Sequence, residues 1–138
     1  MDLHLSFVEI PEVRLLAVRA ESFPDGVGAA WERVEGGLPT LRGRKFYGVV
    51  YSGPEGVEYY AGVVPEEEGE DERPGLTALI VPGGSYARAD LLHWDERRED
   101  IGPMVDQMIE SVDHDPSRPL LEFYRSSFEL RLLVPVGG

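Results

Sequence analysis

Residues 45–64 read Lys-Phe-Tyr-Gly-Val-Val-Tyr-Ser-Gly-Pro-Glu-Gly-Val-Glu-Tyr-Tyr-Ala-Gly-Val-Val, which is two apolar runs on either side of a turn. The β-branched and aromatic residues of 45–52 and 57–64 are typical of strands. Between them, Gly53-Pro54-Glu55-Gly56 is typical of a tight connection. The stretch therefore predicts a β-hairpin.

The sequence around this hairpin predicts a β-α-β-β unit that occurs twice. Residues 13–22 have the pattern of a buried strand, and apolar residues recur at helical spacing over 26–36 before the hairpin. The same order then returns as strand 84–92, helix 101–113, strand 119–125 and strand 128–136. Further strand patterns at 3–9 and 76–81 precede the two units.

This repeat predicts an α+β fold. Two such units can pair into one antiparallel sheet with both helices on one face. A central cleft would then form where the halves meet, on the pseudo-twofold axis. Few residues are identical between the halves, so the repeat is one of pattern rather than of sequence.

Length and composition favour a single globular domain over residues 1–138. A hydrophobic content of 42% is typical of a folded core, and the chain is long enough to build one. No apolar run approaches the roughly 18 residues of a membrane span, and the N-terminus lacks a signal-peptide pattern. We therefore expect a cytoplasmic protein that does not bind membranes.

The formal net charge of −13 comes from 26 acidic and 13 basic residues. Such a balance disfavours direct binding of nucleic acid, whose phosphates would be repelled. It favours cationic ligands or basic protein surfaces, although solubility is the more common reason for an acidic composition. The acidic stretch 66–72, between Pro65 and Pro74, is predicted to be a solvated loop.

Glu122 is the residue that points most directly to function. It interrupts the apolar strand pattern of 119–125, where alternation puts Leu120, Glu122 and Tyr124 on one face. A carboxylate is costly to bury without a cationic or hydrogen-bonding partner. The two interpretations are an edge strand on which Glu122 faces water, and a functional carboxylate.

Several other chemistries are disfavoured. The chain has no cysteine, which excludes disulfides, thiolate metal sites and cysteine nucleophiles. Its three histidines are too scattered to predict a metal site, and the serines lack a nucleophile-elbow context. We expect neither a metal nor another cofactor.

The ordered combination of several segments resembles the GyrI-like family, which comprises gyrase-inhibitor-type proteins and the effector-binding domains of AraC- and MerR-type regulators. The resemblance covers residues 5–136 and is carried by Phe46–Tyr51, Glu58–Val63, Ile80–Ala87, Leu121–Tyr124 and Leu132–Val136. It implies duplicated β-α-β-β (SHS2-like) units and a cleft for small molecules. Regulators of this family also carry a helix-turn-helix segment, which this sequence lacks, so we expect no DNA-binding domain.

The resemblance also implies site residues. Glu122 matches a family glutamate at the floor of the cleft, and aromatic side chains around it would stack on flat or cationic ligands. The aromatic candidates are Tyr47, Tyr60, Tyr86, Trp94 and Tyr124. Each of them could instead be an ordinary packing residue.

Three functions follow from the resemblance. The first is multidrug-type binding of a lipophilic, cationic or aromatic small molecule, for sensing or sequestration. The second is hydrolysis of cyclopropane-bearing or similar reactive compounds, with Glu122 as general base. The third is interaction with a protein partner such as gyrase. Binding is the least demanding of the three, because it needs only the charge and the aromatic rings.

Overall fold

The computed structural model describes residues 3–66, 69–70 and 73–137. Within these ranges the chain forms one antiparallel sheet of eight strands and two α-helices, which confirms the predicted α+β class. The strands are β1 Ser6–Ile10, β2 Val13–Arg19, β3 Phe46–Gly53, β4 Gly56–Val63, β5 Thr77–Val81, β6 Gly84–Leu92, β7 Leu120–Tyr124 and β8 Glu129–Pro135. The helices are α1 Val27–Gly36 and α2 Ile101–Ser111.

The strand order β1-β6-β8-β7-β3-β4-β2-β5 shows how the two units join. The unit β2-α1-β3-β4 and the unit β6-α2-β7-β8 meet at the central pair β3–β7. The leading strands are exchanged between them: β1 pairs with β6 of the second unit, and β5 pairs with β2 of the first. The exchange ties the halves into one sheet.

The helices and the central strands of the two units are related by one offset in sequence. The helices begin at Val27 and Ile101, and the central strands at Phe46 and Leu120, which is 74 residues apart in both cases. The same offset relates Gly48 to Glu122. Because Gly48 and Glu122 are also directly paired across β3 and β7, the pseudo-twofold axis passes through this pair.

Both helices cover the same face of the sheet. Residues paired directly across antiparallel strands share a face, so Ala61, Gly48, Glu122 and Leu132 form one row. One end of that row packs in the core cluster of α1, and the other end packs in the cluster of α2. Glu122 therefore lies between two hydrophobic cores, on the face that the helices cover.

The helices form where the sequence places apolar residues at helical spacing. In α1, Ala30 and Val34 are buried against the sheet, and the helix ends before Gly37. In α2, Met104 and Met108 are buried in the same way. Among the described residues, no helix is both long enough and apolar enough to span a membrane.

The connection after β4 differs from the solvated loop that the acidic stretch predicts. The side chain of Glu70 is buried, with the residue only 8% exposed, and it accepts two hydrogen bonds from Arg44 at 2.9 and 3.0 Å. Glu66 lies at the edge of this ion pair, 3.7 Å from the Arg44 Nε atom. The rest of that prediction, Glu67, Glu68, Asp71 and Glu72, falls outside the described residues. The run of acidic residues predicted a solvated loop, but the buried Arg44 side chain requires a carboxylate partner and Glu70 provides it.

Candidate functional site

Glu122 lies at the centre of the sheet. Its strand, β7, is hydrogen-bonded to β3 on one side and β8 on the other, so the edge-strand interpretation is wrong. The residue is partly exposed, and its side chain lines a cavity on the helix-covered face. A carboxylate in the middle of a sheet must have polar partners.

Two tyrosine hydroxyls supply those partners. The Tyr59 hydroxyl donates to Glu122 Oε1 at 2.6 Å, and the Tyr124 hydroxyl donates to the same oxygen at 2.9 Å. The Trp31 Nε1–H group in turn donates to the Tyr59 hydroxyl at 3.1 Å. The described residues give no hydrogen bond to Glu122 Oε2, because both tyrosines donate to Oε1. Only one of the two carboxylate oxygens is thus held in place by hydrogen bonds from the described part of the chain.

The environment changes the acidity of all three groups. Burial raises the pKa of Glu122, and the hydrogen bonds from Tyr59 and Tyr124 oppose that rise. Burial, followed by the charge of the nearby carboxylate, raises the pKa of Tyr59 and of Tyr124 far above the ordinary range. Both tyrosines therefore keep their protons and act as hydrogen-bond donors.

Gly48 makes room for this network. A Cβ atom at Gly48 would be in contact with both Glu122 Oε1 and the Tyr59 hydroxyl. The Gly48 backbone has no unusual conformation, so the reason for glycine is close approach rather than a turn. Any larger residue would push apart the two side chains that form the shorter hydrogen bond.

A cavity of about 1420 Å³ opens above Glu122, between α1 and the start of α2. Aromatic rings from both units form its walls. Trp94 meets the edge of Tyr124 at 5.0 Å between ring centroids, and Trp31 meets it at 5.3 Å. Phe23 stacks on Tyr59 at 5.9 Å and is half exposed, as expected for a ring that faces an open cavity. The site therefore combines an acidic floor with apolar walls.

Three of the residues that the sequence singled out meet in this cavity: Glu122, Tyr124 and Trp94. The structure places the other three on the opposite face of the sheet. Tyr47 stacks there on Phe123 at 4.8 Å, Tyr60 contacts Tyr51, and Tyr86 is fully buried against Arg118. These three tyrosines do not line the cavity, because strand alternation turns them away from the face of Glu122.

Sequence reasoning missed Tyr59, Trp31, Phe23 and Phe46, all of which line the cavity. For Tyr59 a signal existed, because its face also carries the apolar residues Ala61 and Val63, which is typical of the buried face of a strand. Trp31 fitted the apolar face of the first helix, and nothing local marked it as a cavity residue.

The comparisons with known proteins support the fold. An integron cassette protein from Vibrio cholerae, VCH_CASS2, superposes with a TM-score of 0.74 at 16% identity, covering 96% of this chain and 95% of that one. The C-terminal domain of EcmrR gives 0.62 at 14% identity, covering 99% of both chains. SAV2435, whose structure is bound to tetraphenylphosphonium, gives 0.60 at 13% identity, covering 99% of this chain and 95% of that one. No protein-family model matches the sequence, and no curated protein matches it. At these identities the likeness establishes a shared fold.

Proposed function

We propose that this protein is a GyrI-like domain that binds a lipophilic small molecule with a cationic or aromatic group in the cavity above Glu122. The observation that carries the proposal is the Glu122 carboxylate in a cavity lined by aromatic rings, with hydrogen bonds from the described residues to only one of its oxygens. A cytoplasmic role in sensing or sequestration fits such a site.

The carboxylate and the aromatic rings of the cavity both favour a lipophilic cation. Aromatic faces attract cations, and a carboxylate attracts them more strongly where the surroundings exclude water. Tyr59 and Tyr124 hold the carboxylate in a fixed position, so little of the binding free energy is lost in ordering it. The half-exposed Phe23 and the partly buried Trp94 offer ring surface to a ligand.

The structural neighbours are consistent with this proposal. SAV2435 is a protein of the same fold that binds tetraphenylphosphonium, a lipophilic cation. That ligand is accordingly a suitable first probe. Tetraphenylborate has the same shape and the opposite charge, so the pair separates charge recognition from hydrophobic binding.

The test is to measure the dissociation constants of both probes by isothermal titration calorimetry, with wild type, Glu122→Gln and Glu58→Gln. Glu58 is a matched control, because it lies on β4 beside Tyr59 but is exposed and pairs with Arg19. We expect wild type and the Glu58 variant to bind the phosphonium, and the Glu122 variant to bind it at least about tenfold more weakly. Equal binding of both probes, or no effect of Glu122→Gln, would overturn the proposal.

Hydrolysis is a second candidate, and one observation favours it. Burial raises the pKa of the Glu122 carboxyl group, and its Oε2 atom receives no hydrogen bond from the described residues. Such a carboxylate is suited to act as general base on a water molecule. Incubation with a cyclopropane-bearing alkylating compound would then give a ring-opened product heavier by one water, detectable by mass spectrometry. Glu122→Gln should abolish formation of this product. If wild type binds the compound and the compound is recovered unchanged, hydrolysis is ruled out and binding is the function.

A further inference from the structure

Basic residues outnumber acidic ones among the described residues that line the cavity, whereas acidic residues predominate in the chain as a whole. The chain as a whole has 26 acidic and 13 basic residues. Among the described residues, the cavity is lined by two acids, Glu35 and Glu122, and by five basic residues, Arg42, Arg44, Lys45, Arg98 and Arg125. A plain cation would be attracted by Glu122 but repelled at the entrance.

Three of these basic residues are available to a ligand, and we name them the basic rim: Arg42, Lys45 and Arg98. All three are exposed, and none forms an ion pair with another described residue. The other two are engaged, because Arg44 is bound to Glu70 at 2.9 Å and Arg125 lies 3.5 Å from Glu129.

Arg98 connects the rim to the floor. Its guanidinium lies 5.5 Å from the centre of the Trp94 ring, and that ring meets Tyr124, whose hydroxyl is bonded to Glu122. The positive charge of Arg98 also acts to lower the pKa of Tyr124, against the stronger effect of burial. A ligand that contacts Glu122 and Trp94 would therefore extend towards Arg98.

We propose that the ligand is zwitterionic, with a cationic or aromatic head over Glu122 and an anionic group that binds the basic rim. This inference rests on the proposed function and specifies its ligand. The cavity volume of about 1420 Å³ exceeds the roughly 300–1,000 Å³ typical of drug-sized ligands, so it has room for a molecule with two ends. Arg42 and Lys45 precede β3 of the first unit and Arg98 precedes α2 of the second, so both units contribute to the basic rim.

The test compares pentyltriphenylphosphonium with (4-carboxybutyl)triphenylphosphonium, which share the cationic head and differ by a carboxylate on the tail. At low salt we expect the carboxylate to improve the dissociation constant of wild type by about fivefold. The gain should decrease as salt is added, because the rim is exposed. A series of probes with longer carboxyalkyl tails would show which distance between the phosphonium and the carboxylate gives the tightest binding.

Variants of the basic rim test whether its residues cause the higher affinity for the carboxylate probe. Arg98→Gln and Lys45→Gln should each reduce the preference for the carboxylate, measured as the ratio of the dissociation constants of the two probes. Arg97→Gln is the matched control, since Arg97 is adjacent in sequence but pairs with Asp100 and does not line the cavity. Two variants at separate rim positions keep the test valid if one of them misfolds.

The outcomes separate this inference from the proposed function. If neither probe binds wild type, the proposed function fails. If both bind equally, or if Arg98→Gln and Lys45→Gln behave like Arg97→Gln, the zwitterionic ligand is ruled out and cation binding at Glu122 stands. A carboxylate preference that disappears only in the rim variants supports the inference.

Discussion

The two β-α-β-β units have the same backbone plan and opposite contributions to the site. At the central pair, the first unit places Gly48 where the second places Glu122. Since this pair lies on the pseudo-twofold axis, the two side chains would occupy the same space, and a Cβ at Gly48 already touches the carboxylate. A duplicated fold can therefore hold a single carboxylate at its axis only if the other unit has no side chain at the equivalent position.

The units agree more closely at a second pair. Arg44 and Arg118 are also 74 residues apart, and each donates to a backbone carbonyl near the end of its unit, at Val64 and Val136. Their acidic partners differ. Arg118 pairs with Asp115 from the adjacent turn, whereas Arg44 pairs with Glu70 from the connection that follows β4. The arginine is shared by the two units, and the carboxylate that neutralises it is not.

The largest expected effect comes from Glu70→Ala. The Arg44 side chain is only 5% exposed, so the variant leaves a buried charge with only the more distant and more exposed Glu66 carboxylate, at 3.7 Å. Removing one partner of a buried ion pair typically costs about 3–5 kcal/mol, and we expect a loss of that size in urea unfolding at pH 7. Asp115→Ala is the matched variant of the other unit, and its more exposed ion pair should lose clearly less. Equal losses would show that the two arginine sites are energetically equivalent.

The next effect tests the gap at the axis. Gly48→Ala should destabilise the fold by about 2–3 kcal/mol, because the methyl group overpacks the site and disturbs the Tyr59–Glu122 hydrogen bond. Gly36→Ala is the control, since a Cβ there meets no atom within 4 Å and alanine favours the helix. Thermal and urea unfolding would measure both. A Gly48 variant as stable as wild type would show that Gly48 is not needed for close approach.

The two hydroxyls that hold the carboxylate come from different units, and their removal should differ. Tyr59→Phe deletes the 2.6 Å hydrogen bond to Glu122 and leaves Trp31 Nε1 without its acceptor, so we expect a loss of about 2 kcal/mol. Tyr124→Phe deletes only the 2.9 Å bond of a less buried residue, with an expected loss of about 1 kcal/mol. Both variants should raise the pKa of Glu122, measurable by NMR titration. A larger loss for Tyr124→Phe than for Tyr59→Phe would show that the stronger hydrogen bond to Glu122 comes from its own unit.

The sequence predicted the elements well and the site in part, for a physical reason. Strands, helices and the repeat depend on local patterns, and Glu122 was noticeable because a carboxylate in an apolar strand is a local anomaly. The choice between Tyr59 and Tyr60 depends on which face of β4 packs against α1, and the residues that form this face come from strands far apart in sequence, such as β2 and β7. The burial of Glu70 likewise depends on Arg44, which lies 26 residues earlier in the chain. Such long-range pairs are not visible in local patterns.

The smallest expected effect concerns the titration of Glu122. Burial raises its pKa in the folded state above the ordinary value of about 4.5. The folded state then holds this proton more tightly than the unfolded chain, so the contribution to stability is full below about pH 4.5 and is lost as the pH rises through the folded pKa. Glutamine at this position cannot ionise and does not undergo that loss.

Glu122→Gln should therefore become more stable relative to wild type as the pH increases from 4 to 8. Each unit by which the pKa is raised contributes about 1.4 kcal/mol to that change. Urea unfolding of wild type and of the variant at pH 4, 6 and 8 would measure it. The first unit has Gly48 at the equivalent position, so the titration at the axis belongs to the second unit alone. A pH-independent difference would mean that Glu122 ionises as it does in the unfolded chain, and that the axis is well enough solvated to have accepted a carboxylate from either unit.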